Sequence, residues 1–313
     1  MQKIIVIVGP TAVGKTQLSI ELAHQFHGEI INGDSLQVYR GLDIGSAKAS
    51  MEEMQGIAHH LIDICDLRQE FSASDFKVLA RKAVDDICSR GKLPIVVGGT
   101  GLYIEGFLND FHYSGPSSQN EAYRQVLQER LNNEGSQVLW EELKVLDPQA
   151  ADTIHPNNGR RIIRALEVIQ ASGQAFSKNN YRQSSPIYDA FLIGLEADRT
   201  LIYERINKRV EVMVAQGLVE EAKGLYDLQL DPYLQSLRGI GYKEWFPYFD
   251  GQASLEETIA LIQQGSRRYA KRQFTWFRNR LKDIHWYNLL EEDASHQRQK
   301  INEDLSKFLK GSE

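Results

Sequence analysis

Ile4-Ile5-Val6-Ile7-Val8 is a continuous β-branched run that leads directly into Gly9-Pro10-Thr11-Ala12-Val13-Gly14-Lys15-Thr16, after which Leu18, Leu22 and Phe26 recur at helical spacing. No other segment constrains the fold as tightly. A buried strand that ends in GxxxxGK[ST] and opens a helix aims its backbone amides and the helix N-terminus at one place, which makes a nest for anions. Lys15 adds a point charge, and the Thr16 hydroxyl suits Mg²⁺. At background frequencies a chain of this length matches the pattern by chance roughly once in 100, so its strand-loop-helix setting marks Gly9 to Thr16 as a polyphosphate site. The cradle fits any polyphosphate and does not by itself select the chemistry.

Around this unit the chain alternates strands and helices. Glu29 to Ile31 and Leu61 to Ile64 read as short strands, about Ser74 to Arg90 as a helix stopped by Gly91, and Pro94 to Val97 as a buried strand. That order predicts an α/β fold with a parallel, doubly wound sheet. From about Asn120 to Ser172 only helical periodicities occur, over Tyr123 to Leu131, Val138 to Leu146 and Arg161 to Ile169. The strand-like Ala190 to Leu195 then follows. Residues 115–186 are therefore expected to be an all-helical insertion, bounded by Ser114-Gly115-Pro116-Ser117-Ser118 and the polar Ser177 to Pro186, in a core made of 1–114 and 187–313. Asp198 is expected to cap a long helix running towards Gly217, and the remainder is expected to be mostly helical and rich in aromatic residues.

A composition of 42% hydrophobic and 25% charged residues over 313 is that of a globular chain. Ile4 to Val8 is too short to span a membrane and follows a single Lys, so a cytosolic protein without a membrane partner or signal peptide is expected. Cys65 and Cys88 have no CxxC or Cys/His arrangement around them, which excludes a disulfide framework or structural zinc and leaves both as expected buried apolar residues. The net charge of −6 excludes general affinity of the whole surface for nucleic acid, so local clusters must decide.

Several positions carry two competing readings. Asp34, just past the second strand, falls at the same sheet edge as the P-loop and is either a catalytic carboxylate or the N-cap of a short helix. Pro94-Ile95-Val96-Val97 ends in Gly98-Gly99-Thr100 where a P-loop NTPase commonly presents an acid; the glycines allow close approach to the backbone, or simply make a tight turn with a Thr cap. Arg205 and Arg209 share a helix face and either meet a polyphosphate or stay solvated. Basic clusters occur at Arg160, Arg161 and Arg164, at Arg238 with Lys243, and from Ser266 to Lys282. The last interleaves its cations with Tyr269, Phe274, Trp276 and Phe277, which fits either RNA binding or an amphipathic core helix. His59, His60 and His155 lack metal-ligand partners at recognisable spacing and read as structural.

Taken together, GPTAVGKT, INGDSLQVYRGLDIGSAK (31–48), HLIDI (60–64), PIVVGGTGLY (94–103), IHPNNGRRIIRALEV (154–168), RGIGY (238–242) and KRQFTWFR (271–278) resemble the bacterial tRNA dimethylallyltransferases, in the same order along nearly the whole chain. The resemblance implies a P-loop NTPase or kinase-like core with a helical insertion that grips the tRNA anticodon stem-loop. It implies transfer of a dimethylallyl group from dimethylallyl pyrophosphate to the adenosine 3′ of the anticodon in tRNAs reading U-initial codons. By position it puts the general base on Asp34, the pyrophosphate-binding arginine on Arg209 and the reaction-channel threonine on Thr100. RNA contacts fall on Asp34, Ser35, Leu36 and Gln37, on Thr100 and Arg124, on Arg160, Arg161, Ile162, Ile163 and Arg164, and on Arg238, Gly239, Ile240, Gly241, Tyr242 and Lys243. Arg160 stands where the family commonly has Gln, and Val13 where it commonly has Ser. Mg²⁺ is the expected cofactor, and the chain is expected to act as a monomer. The enzymatic rival is a small-molecule or nucleotide kinase with an arginine-bearing lid; the non-enzymatic rival is a nucleotide-gated RNA-binding protein.

Overall fold

A computed structural model describes residues 1–109, 111, 121–179, 186–291 and 293–311. The chain forms two compact units, Met1–Leu108 with Ile187–Glu313, and Asn109–Pro186. The expected junction at 114/115 lies outside the described residues.

In the first unit one six-stranded sheet runs β3-β2-β4-β1-β5-β6, with every pairing parallel. The strands are β1 (Lys3–Val8), β2 (Gly28–Asn32), β3 (His59–His60), β4 (Leu93–Val97), β5 (Asp189–Glu196) and β6 (Ile284–Asn288). Ile4 through Val8 are fully buried because β1 is flanked by β4 and β5 and covered on both faces, the condition under which a strand needs no polar alternation. On one face Ile5 and Ile7 pack with Leu18 and Leu22 of α1 (Lys15–Gln25) and with Ile301 and Leu305 of a C-terminal helix, Ala294–Lys310. The expected doubly wound α/β fold is thus borne out.

One local expectation fails, and the C-terminal part, mostly helical as expected, adds one unexpected strand. The strand expected over Leu61 to Ile64 lies at His59–His60, paired with Ile30 and Ile31. Leu61 and Asp63 take left-handed φ of 62° and 55°, and the Ile64 amide donates to Val38 instead of to β2, so the apolar run bends away from the sheet. The C-terminal part contains β6, an edge strand in register with Leu192–Glu196; Ile-His-Trp-Tyr-Asn lacks the apolar run that marks the central strands. Of the cysteines, Cys65 is buried and Cys88 only partly so, and both are free.

The capping chemistry follows the sequence. Ser72 and Asp75 form a capping box that opens α2 (Ala73–Ser89), and α3 (Gly101–Leu108) follows β4. Asp198 accepts the Thr200 and Leu201 amides at the start of α9 (Arg199–Ala215). After it come α10 (Leu218–Asp227), α11 (Trp245–Phe249), α12 (Leu255–Arg280), opened by the Ser254–Glu257 capping box, and α13, the Ala294–Lys310 helix.

The second unit is helical over its described residues: α4 (Glu121–Glu134), α5 (Ser136–Leu146), α6 (Pro148–Thr153), α7 (Gly159–Ser172) and α8 (Phe176–Asn179). Leu127, Leu139, Leu143, Ile154, Ile162 and Leu166 make its separate core. Asp147 fastens it by accepting the Ala150 amide at 3.0 Å and the Ser177 amide at 2.7 Å, and these bonds hold its carboxyl below the ordinary range against the opposing pull of burial.

Candidate active site

At the carboxyl edge of the sheet a cavity of about 830 Å³ is walled by the P-loop, β2, the Asp34–Ala49 segment, the Gly98-Gly99 turn, α9 and α12. All of these belong to the first unit. Gly9 leaves β1 with φ 145°, and a Cβ there would lie 2.6 Å from the Leu195 carbonyl oxygen, so only glycine passes β5 at this point. Thr11 through Thr16 line the cavity, whereas Gly9 and Pro10 are buried outside its wall. Their carbonyls accept Lys15 Nζ at 2.9 and 2.6 Å. Val13, at the edge of the cavity, is fully buried.

Two arginines reach the loop from α9. Arg205 Nε donates to the Ala12 carbonyl at 2.9 Å, and Arg209 Nη1 donates to Thr11 Oγ1 at 3.3 Å. The helix-face pair therefore reaches the P-loop, as a polyphosphate site needs, with Arg209 partly buried and Arg205 still exposed. Burial pushes the Lys15 pKa down from 10.5 to about 7, helped by the Arg209 charge and opposed by Asp34. Arg209 is lowered as well, first by burial, with Asp34 opposing. Crowded cations around one carboxylate make a place where an added anion is strongly favoured.

Asp34 faces this cationic group across the same cavity. Its Oδ1 accepts the Leu36 amide at 2.8 Å and the Gln37 amide at 3.4 Å, and its own amide donates to Asn32 Oδ1 at 3.2 Å. The capping reading is right in kind, but Asp34 caps a turn, since no helix follows. Burial dominates its carboxyl and pushes the pKa up, against the two amides, Lys15 and Arg209. A carboxylate raised towards neutrality is a better proton acceptor at working pH. Thr100 is not part of the cavity wall; its Oγ1 accepts the Ser35 amide at 3.2 Å, tying the β4–α3 turn to the Asp34 segment.

The glycines where an acid was absent are explained by the chain itself. A Cβ on Gly98 would lie 2.3 Å from the Gly33 carbonyl oxygen, and one on Gly99 would lie 2.1 Å from Gln273 Nε2. Gln273, like Tyr269 one turn before it, lines the cavity from α12; sequence reasoning assigned neither to the site. Burial raises the Tyr269 phenol to about 12, with Asp34 adding to the rise and bonds to Thr100 and Gln273 opposing it. The aromatic and basic run from Ser266 to Lys282 thus divides by face: Ala270, Gln273 and Phe277 are buried, while Arg278 pairs with Glu196 at 2.7 Å and lies over the Phe274 ring.

The residues expected to contact RNA are distributed unevenly. Ser35 to Gln37 continue the Asp34 turn, with Gln37 Nε2 bonded to the Ser46 and Ala47 carbonyls. The RGIGY segment packs on this same loop: Gly239 sits against Leu36, and the Tyr242 hydroxyl accepts the Ser46 amide and donates to Glu221. Glu221 also accepts the Asp43, Ile44 and Gly45 amides at 2.9–3.0 Å, which fixes the loop from α10. Tyr242 is wholly buried, so its side chain is a brace and not a contact surface; Arg238 and Lys243 are exposed, with Ile240 partly so and Gly241 buried. In the second unit Arg160 and Arg161 are exposed at the start of α7, and Arg124 and Arg164 pair with Glu167 at 3.4 and 3.7 Å. The side chains of Ile162 and Ile163, 0% and 4% exposed, are turned by helical periodicity into the core, so they offer no side-chain contact to RNA.

The IPP transferase family model matches residues 37–280. The tRNA dimethylallyltransferase of Geobacillus thermodenitrificans is 50% identical over 293 residues, 93% of this chain and 92% of that protein. The crystal structure of the full-length tRNA isopentenylpyrophosphate transferase from Bacillus halodurans aligns with a TM-score of 0.74 at 45% identity, covering 99% and 97% of the two chains. A eukaryotic dimethylallyltransferase captured acting on tRNA aligns with a TM-score of 0.83 at 31% identity, covering 98% of this chain and 80% of that one. On the strength of these matches and of the P-loop core, this chain belongs to the IPP transferase family.

Proposed function

We propose that the chain is a tRNA dimethylallyltransferase whose donor is dimethylallyl pyrophosphate and whose acceptor is the exocyclic amine of the adenosine 3′ of the anticodon in tRNAs reading U-initial codons. The observation that carries this reading is one cavity with a cationic P-loop cradle, Lys15 and Arg209, facing a carboxylate whose pKa burial has raised, Asp34. An adenine amine is a weak nucleophile because its lone pair is delocalised into the ring. Its nitrogen attacks the allylic carbon as the C–O bond breaks; the electron pair leaves with pyrophosphate, and Asp34 takes the amine proton. Stabilisation then belongs on the departing charge, where the P-loop amides, Lys15 and Arg209 stand. Asp34 is the base of this scheme, and the hydroxyl of Thr100 braces its segment through Ser35.

Thr16, exposed on the first turn of α1, fits a Mg²⁺ that takes its remaining ligands from pyrophosphate oxygens and water. Among the described residues no cluster of three His, Cys, Asp or Glu side chains could hold a metal without such a ligand. Bound there, Mg²⁺ supplies charge neutralisation of the leaving group. Arg160 and Arg161, with Arg124 and Arg164, are the proposed contacts to the anticodon stem-loop, and Arg238 and Lys243 extend them on the first unit. No described helix is long and apolar enough to cross a membrane; action as a cytoplasmic monomer is part of the proposal.

Radiolabel tests the reading. Label should pass from dimethylallyl pyrophosphate to tRNA, with the product nucleoside identified by mass spectrometry; label passing from γ-labelled ATP to a small molecule instead would overturn it in favour of a kinase.

A further inference from the structure

Gln273 is 5% exposed, and both polar atoms of its amide are hydrogen-bonded. Oε1 accepts the Thr11 amide at 2.9 Å and Nε2 donates to the Gly99 carbonyl at 3.0 Å. A backbone amide can only donate and a carbonyl only accept, so these two partners fix the orientation of the side chain without ambiguity. The residues it joins lie on opposite sides of the chemistry. Thr11 is the P-loop residue whose hydroxyl receives Arg209, and Gly99 precedes Thr100, whose hydroxyl receives the Ser35 amide beside Asp34. The turn accepts this bond only because position 99 has no side chain, as a Cβ would stand 2.1 Å from Nε2.

We propose that Gln273 is a positioning residue that sets the spacing between the leaving-group cradle and the base-bearing side of the cavity. It touches no reacting atom. Its bond to Thr11 removes one P-loop amide from the anion nest and uses it to lock the loop, while its bond to Gly99 locks the turn that braces the Asp34 segment. Both locks hang on α12, so the donor and the base keep one register. The inference rests on the transfer reaction proposed above.

The decisive variants are Gln273→Met, which keeps length and flexibility but can form neither bond, and Gly99→Ala, which displaces the same amide without altering it. Single-turnover transfer to tRNA should slow by about 10- to 100-fold in each, the scale of a misplaced but intact site. Affinities for tRNA and for a non-hydrolysable thio analogue of dimethylallyl pyrophosphate should stay within about threefold of wild type. Because both substitutions break one link, the double variant should be no slower than the slower single variant.

A wild-type rate in Gln273→Met overturns the proposal. So does a loss of rate matched by an equal loss of analogue affinity, which would mean that the cradle had collapsed, and so do multiplying effects in the double variant. Should Gln273→Met fail to fold, Gly99→Ala decides alone, a wild-type rate again being fatal. Wild-type enzyme that fails to transfer label sinks the reaction and this inference with it, whereas a wild-type rate in Gln273→Met sinks the inference alone, so the two failures are distinguishable.

Discussion

In the proposed reaction Asp34 and Arg209 divide the work of one step, and substitutions should separate them. Asp34→Ala should reduce transfer by about 10²- to 10⁴-fold while changing tRNA affinity by at most a few-fold, because a base acts in the transition state and phosphate contacts dominate RNA affinity. Single-turnover rates beside filter-binding isotherms check this; substantial residual turnover would leave Asp34 as a turn cap only. Arg209→Ala should weaken pyrophosphate binding and turnover together by about 1.5–3 kcal/mol, the size of a charge-assisted bond. Lys15 gives a pH signature. Its pKa stands at about 7, below 10.5, so its cation is lost as pH rises through neutrality unless an anion restores it. Pyrophosphate binding near pH 8 should therefore take up protons, visible as a dependence of calorimetric enthalpy on buffer ionisation; uptake that shrinks but remains in Arg209→Ala, where burial alone holds Lys15 down, and vanishes in Lys15→Met assigns it. The sequence made Lys15 legible through its motif and left Asp34 with two readings, since one carboxylate after a strand serves both. Gln273 was illegible for a physical reason: its partners are backbone groups 262 and 174 positions away, and nothing in its neighbours along α12 records them.

Elements that carry their own periodicity were readable and those defined by partners were not. β1 and β5 announce themselves because full burial demands continuous apolar residues, whereas β3 is two histidines and β6 is an edge strand. What makes the β3 edge workable is Glu29 on β2. Its side chain, 4% exposed, lies 2.5 Å from Arg90, 2.7 Å from Lys92 and 2.7 Å from His60, so β2, β3, the end of α2 and the start of β4 meet at one carboxylate. Histidine 60 thus proves structural, as its lack of metal-ligand spacing implies. The Arg90 bonds, with Lys92 and His60, hold the Glu29 carboxyl well below the usual carboxylate range despite the opposing effect of burial. A depressed folded-state pKa stabilises above the ordinary carboxylate value of 4.5 and loses that stabilisation as pH falls below it. Thermal unfolding followed against pH should show this. Glu29→Gln should lower the melting temperature by several degrees at neutral pH and flatten the decline below pH 4.5, the two curves converging in acid. Parallel curves would mean that another carboxylate sets the acid limb.

For the whole molecule, the division into two units places the residues that wall the cavity and the exposed pair Arg160 and Arg161 in different units. Every residue that walls the cavity lies in Met1–Leu108 or Ile187–Glu313, and Arg160 and Arg161 lie in Asn109–Pro186. A unit with its own core and exposed arginines is what the proposed clamp on RNA requires. Its cations are not equivalent. Arg124 and Arg164 share Glu167 and are partly neutralised, while Arg160 and Arg161 project from the first turn of α7, where the positive end of the helix dipole adds to their attraction for phosphate. Arg160→Ala with Arg161→Ala should therefore weaken tRNA binding and reduce the slope of log affinity against log salt by up to about one unit per lost contact. Arg164→Ala should cost less, because Glu167 already partly neutralises that guanidinium. Binding of a non-hydrolysable dimethylallyl pyrophosphate analogue should be unchanged in all three. A lid predicts the reverse, since lid arginines reach the transferring group and their loss damages small-substrate binding directly. Titrations with tRNA at several salt concentrations, set beside titrations with the analogue, decide between them: an unchanged salt slope with lost analogue affinity rules out the clamp.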